Sequence, residues 1–170
     1  MTLDNLNTLD QQAFTSTLAD IFEHSPWVAK NTWPTRPFSS VDTLHHAMTQ
    51  AMYEANEQQQ LDLICAHPDL AGKAARLGEV TDSSKQEQAG AGLDQLSDDE
   101  FARFHDLNTR YKTKFGFPFI LAVKGHTKTS ILAAFETRLN NSQADEHQTA
   151  LAEITKIARF RLEALLTSSS

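Results

Sequence analysis

His67 is the residue whose type and place best suit proton chemistry. It ends the apolar stretch Leu61-Asp62-Leu63-Ile64-Cys65-Ala66 and stands directly before Pro68. Proline crowds the residue before it out of the α region, so a helix should stop near His67 and leave the imidazole at its end. An unperturbed imidazole titrates near pH ~6.5, which suits proton transfer at neutral pH. The same position also fits a helix-terminal histidine that bonds a nearby carbonyl. Glu87 is the second polar group of interest, but Ser84-x-x-Glu87 has the pattern of a capping box, in which the glutamate reaches back to its own helix start. Arg161, in Ile157-Ala158-Arg159-Phe160-Arg161-Leu162, lies at the margin of an apolar face. Arginines placed this way commonly lay their stem along the surface.

Other kinds of site find no support. The chain has no Gly-rich phosphate cradle, no His-Glu-x-x-His pattern, no cysteine pair and no Gly-x-Ser-x-Gly elbow. His45 and His46 are adjacent, so on a helix they diverge and chelate poorly. No metal site is expected. Cys65 is the single cysteine, so no internal disulfide can form and no oxidising compartment is needed. Its apolar neighbours make a buried structural thiol the expectation.

The elements that must position these groups are helical. Thr8 with Gln11 reads as a capping box before Phe14, Leu18, Ile21 and Phe22 at helical spacing. Ser25-Pro26-Trp27 reads as a cap with a first-turn proline, and Pro34–Pro37 as a loop. Ser40 caps a helix whose inner stripe is Leu44, Met48, Ala51, Met52 and Ala55, a core stripe and not a cofactor box. A small helix is expected through Leu70, Ala74 and Leu77, ended by Gly78, and Ser84 opens the next. Ser97 opens a long helix with Phe101, Phe104, Tyr111 and Phe115 on one stripe and Gly116 as its stop. Phe117–Val123 is the only strand-like run; alone it makes no sheet, so it reads as an extended core segment. Thr129 begins a further helix, and the last one carries Leu151, Ile154, Ile157, Ala158, Leu162 and Leu165. The expected fold class is all-α, about seven to nine helices without a sheet. It would form one domain over 1–170, with 166–170 as a flexible tail.

Composition sets the outer bounds. Of the 170 residues, 40% are hydrophobic and 22% charged, which is ordinary for a globular chain. The net charge of −7 is uneven: residues 1–100 hold 5 Lys/Arg against 16 Asp/Glu, and 101–170 hold 10 against 6. No dense basic face for nucleic acid follows from this, but a local basic site for a small anion is compatible with it. The longest apolar run, Phe117 to Val123, is far short of the ~20 residues that span a bilayer, and the N-terminus has no secretory pattern. A cytoplasmic protein without membrane or nucleic-acid partners is the expectation.

Taken together, five motifs are informative. His67-Pro68-Asp69-Leu70-Ala71-Gly72-Lys73, Ser84-x-x-Glu87-Gln88 and Leu107-Asn108-x-x-Tyr111-x-x-Lys114-Phe115-Gly116-Phe117-Pro118-Phe119-Ile120 occur in that order. Glu23-His24-Ser25-Pro26-Trp27-Val28-Ala29 precedes them and Arg161-Leu162 follows. As a set, over about residues 9 to 166, they make the chain resemble the 2-oxo-4-hydroxy-4-carboxy-5-ureidoimidazoline (OHCU) decarboxylase family. The resemblance implies an all-helical, cofactor-free, homodimeric carboxy-lyase. Such an enzyme acts third in urate breakdown, after urate oxidation and hydroxyisourate hydrolysis, and releases (S)-allantoin with CO2. It implies His67 as proton donor, assisted by Glu87 and Arg161. Substrate contacts would come from Pro68, from Ser84, Lys85, Gln86, Glu87 and Gln88, and from Phe119, Ile120, Leu121, Ala122 and Val123.

Two competing classes remain. A non-catalytic helical module that binds ureides or a partner helix would usually carry an output domain, for which the chain has no spare length. A ureide amidohydrolase would need a metal site or a nucleophile–base pair, and neither is evident.

Overall fold

Cap chemistry and glycine stops set most of the helix boundaries. A computed structural model describes residues 1–71 and 81–166. Among the described residues there are nine α-helices and no strand: α1 (Leu3–Asn7), α2 (Gln11–Thr17), α3 (Pro26–Thr32), α4 (Val41–Tyr53), α5 (Glu57–Ala66), α6 (Asp82–Gly90), α7 (Asp98–Phe115), α8 (Lys128–Arg138) and α9 (Gln143–Leu165). The all-α expectation holds. The small helix expected through Ala74 and Leu77 to Gly78 lies outside the described residues, as do 167–170 of the expected tail. Leu166 is buried. No described helix is long and apolar enough to cross a membrane.

The chain packs as two compact units. The first comprises Met1–Ala66 and Thr155–Ser170, the second His67–Ile154, so α9 gives its beginning to the second and its end to the first. In the first unit, Phe14, Phe22, Val28, Leu44, Met48, Met52, Leu63 and Ile64 are essentially inaccessible, joined by Ala158 and Leu162 of α9. Each large side chain buried this way contributes roughly 1.5–3 kcal/mol. α2 does not begin as expected. The hydroxyl of Thr8 donates to the Asn5 carbonyl at the end of α1, and Asp10 caps α2 by accepting from the N–H of Ala13. Leu18, Ile21 and Phe22 are buried, but they follow the helix in turns. The Pro34–Pro37 stretch opens in a 3-10 turn, Trp33–Thr35.

In the second unit the core is aromatic. Phe104, Leu107, Tyr111 and Phe115 line one stripe of α7, which Gly116 ends with φ 80°, a left-handed conformation suited to glycine. Phe119 stacks on Phe135 with ring centroids 3.8 Å apart, and the edge of Tyr111 meets Phe119 at 5.3 Å. Phe117, Pro118, Phe119 and Ile120 are all buried without helix or strand, which fits the extended core segment read from the sequence.

Candidate active site

α5 ends where the sequence says it must. Asn56 and Gln59 cap its start reciprocally, Leu63 and Ile64 face inward, and the helix stops at Ala66, one residue before His67. His67 is 8% exposed, so its ring is largely withdrawn from water. Cys65, expected to be buried, is exposed. A helix turns by about 100° per residue, and once Leu63 and Ile64 occupy the inner face the next position falls outside.

The turn after His67 is unusually constrained. Ala71 has φ 53°, a left-handed conformation that costs a non-glycine residue roughly 1 kcal/mol. The Ala71 N–H donates to Gln88 Oε1 at 2.9 Å, and the Leu70 carbonyl accepts from Asn108 Nδ2 at 2.9 Å. Those two groups belong to a single peptide unit, held from both sides. Asp69 pairs with Lys112 of α7 at 2.9 Å, partly exposed and therefore worth little in energy.

The helix that carries Glu87 begins earlier than the sequence suggested. Thr81 is the cap, accepting from the Ser84 N–H at 3.2 Å, and α6 starts at Asp82. Thr81-Asp82-Ser83-Ser84 offers four cap-type residues in succession, and spacing alone does not choose among them. The correction has a consequence. Glu87 is the sixth helical residue and not the third, so the capping-box role does not apply to it. It lies half-buried, between exposed Lys85 and Gln86 and buried Gln88; Ser84 is also buried. The N–H of Ser84 is taken by Thr81 and is not a donor for a ligand. Gln88 has its oxygen on Ala71, while its Nε2 is buried without a hydrogen-bond partner among the described residues.

Phe119–Val123 is pinned from behind. Arg138 donates through Nη1 to the Ile120 carbonyl and through Nε to Glu146 at 2.8 Å, and its guanidinium lies 4.4 Å from the Phe119 ring centroid. Tyr111 donates to the same Glu146, and its hydroxyl is held well above the ordinary tyrosine range, first by burial and then by that bond. The Ala122 N–H donates to Glu153 Oε1 at 3.1 Å, so it too is engaged within the protein. Ile120, Ala122 and Val123 are buried and Leu121 is half-buried.

His67, Pro68, Ser84–Gln88 and Phe119–Val123 all belong to the second unit, with Gln88 joining α6 directly to the turn after His67. Arg161 belongs to the first. It is 7% exposed, on the buried face of α9 with Ile157, Ala158 and Leu162, as its spacing requires. Its Nη2 meets Glu23 Oε2 at 2.8 Å, and its Nη1 donates to the Asp20 carbonyl at 2.8 Å. Glu23 is 1% exposed. In such a buried pair, removing one partner leaves the other charge uncompensated and is strongly destabilising.

Sequence reasoning overlooked Glu23 as a partner of Arg161, Asn108 as a hold on the turn after His67, and Arg138, Glu146 and Glu153 as the supports of Phe119–Val123. Asn108 carried a signal: it is a polar residue on the apolar stripe of α7, four after Phe104 and three before Tyr111. Glu23 carried one as well, directly after Ile21-Phe22.

This chain matches the profile of the OHCU decarboxylase family over residues 7–163. It is 46% identical over 165 residues to a 2-oxo-4-hydroxy-4-carboxy-5-ureidoimidazoline decarboxylase of Halalkalicoccus jeotgali, covering 97% of this chain and 92% of that one. To a uric acid degradation bifunctional protein of Bacillus subtilis it is 47% identical, over 98% of this chain and 33% of that protein. In structure it is similar to an (S)-allantoin synthase with a TM-score of 0.78 and 31% identity, over 98% of this chain and 54% of that one. With a family profile over nearly the whole chain and such identity across nearly the full length of a relative, the chain belongs to the OHCU decarboxylase family.

Proposed function

We propose that this protein decarboxylates OHCU to (S)-allantoin, the third step from urate, with His67 as the proton donor and Glu87 and Arg161 assisting. One observation carries the assignment of His67 within that family: a largely buried imidazole just past the end of α5, on a turn held by Gln88 and Asn108. Decarboxylation leaves an electron pair that needs a sink, often a cofactor. In OHCU the ring C=N beside the carbon bearing carboxylate and hydroxyl takes that role. The C–CO2 bond breaks, its electrons form a ring C=C, and the C=N pair moves to nitrogen, which takes a proton. The resulting enol then collapses: the ureido-bearing carbon accepts a proton on one face, and the hydroxyl loses its own to become a carbonyl. Protonated His67 supplies the carbon-bound proton. The Glu87 carboxylate orients the imidazole and favours its charged form. Arg161 offers a planar fork to a carbonyl or carboxylate. On this reading Gln88 Nε2, without a hydrogen-bond partner among the described residues, donates to the polar ring or the ureido group. Pro68, Ser84–Gln88 and Phe119–Val123 complete the substrate contacts on this reading.

The proposal extends to one catalytic domain over 1–170, a homodimer, in the cytoplasm, where a chain with a single cysteine needs no oxidising conditions. The test generates the unstable substrate in situ from urate with the two upstream enzymes and follows circular dichroism. Faster appearance of one allantoin enantiomer on adding this protein is the expected outcome; a racemate at the uncatalysed rate would refute it.

A further inference from the structure

We propose that Asn108 is a positioning residue for the reaction, acting through the turn that carries His67. This rests on the reading of His67 as proton donor. The Leu70–Ala71 peptide is gripped on both edges, its carbonyl by Asn108 Nδ2 of α7 and its N–H by Gln88 Oε1 of α6, each at 2.9 Å. Ala71 within that grip keeps φ 53°, a conformation that persists in a non-glycine residue only where its surroundings over-determine it. One helical turn along α7, Lys112 takes Asp69 at 2.9 Å, so the same face of α7 meets the turn twice.

The amides make this hold at a cost to themselves. Asn108 Oδ1 and Gln88 Nε2 are buried with no hydrogen-bond partner among the described residues, and Asn108 sits between Leu107 and Tyr111 on an otherwise apolar stripe. Burying a polar end unpaired is unfavourable, so packing alone would be served better at this position by leucine. What asparagine adds is the bond to Leu70, three residues from His67. A turn fixed at this peptide limits the positions that His67 and Pro68 can adopt, and small displacements of a catalytic group cost rate steeply.

The experiment uses Asn108→Leu, which keeps the branching and heavy-atom count of the side chain and removes the donor. Its kcat is expected to fall about tenfold with KM within about twofold, the pattern of a group that acts on the transition state and not on uniform binding. The ring 1H–13C peak of His67, identified by its loss in His67→Asn, is expected to move and broaden, and the Ala71 N–H to exchange faster with solvent. If Asn108→Leu alone does not fold, the double variant with Ala71→Gly serves, because glycine accepts the left-handed conformation without strain. A His67 peak superimposable on that of the parent in a folded variant overturns the proposal, whatever the activity. If instead the parent protein fails to accelerate OHCU decarboxylation, the functional reading fails, and the His67 peak still tests the hold by Asn108.

Discussion

Two buried arginines in this molecule look alike and differ in what surrounds them. Arg138 in the second unit and Arg161 in the first are 8% and 7% exposed, and each meets a glutamate that is almost wholly buried. Around Arg138, however, the protein supplies a full set of structural partners: Glu146, the Ile120 carbonyl, the Tyr111 hydroxyl and the face of Phe119. Glu146 is itself shared with Tyr111 and with Asn141. The partners of Arg161 include the Glu23 carboxylate and the Asp20 carbonyl. On the proposed reading, Arg138 builds the core behind Phe119–Val123, whereas the fork of Arg161 exchanges a protein carboxylate for a bound one.

That contrast can be broken by mutation, and the largest effect is expected at the Arg138 cluster. Glu146→Gln leaves a buried guanidinium unmatched, and removing one partner of such a pair costs about 3–5 kcal/mol. Urea unfolding should show a loss of that size. A loss below about 1 kcal/mol would mean that the cluster is not the structural centre described here.

The next effect is smaller and of another kind. Arg161→Lys keeps the charge and loses the planar fork. It should lower kcat/KM about tenfold or more, a step of roughly 1.4 kcal/mol, while stability changes by about 1 kcal/mol or less. The smallest effect belongs to Arg159, two residues away. It is a third exposed and paired with Glu163 at 2.7 Å and with Asp42, and these carboxylates hold its pKa above the ordinary arginine value. Arg159→Lys should leave kcat/KM and stability nearly unchanged, within about 0.5 kcal/mol. Equal effects of the two substitutions on kcat/KM would remove Arg161 from the site.

What could be read from the sequence follows the same division. Local signals were legible: Pro68 stops α5, Gly116 stops α7, and the spacing of Ile157, Ala158, Arg161 and Leu162 turns Arg161 inward. The start of α6 was not, because Thr81 to Ser84 are all capable caps, and choosing Ser84 gave Glu87 a capping role that it does not have. Cys65 was misread for a related reason, since apolar neighbours in sequence need not share a helix face. Partners distant in the chain were beyond reach. Nothing local pairs Arg161 with Glu23, Arg138 with Ile120, or Asn108 with Leu70, because those contacts are settled by tertiary packing.

The central claim is that His67 delivers the proton that fixes the configuration of the product. The most direct test is the circular-dichroism assay on His67→Asn, which keeps similar size and one donor but cannot cycle a proton near pH 7. The rate of appearance of the (S) enantiomer should fall about 10²- to 10⁴-fold, with stability changed by about 1 kcal/mol or less. A His67→Asn protein that produced (S)-allantoin at the parent rate would contradict the account.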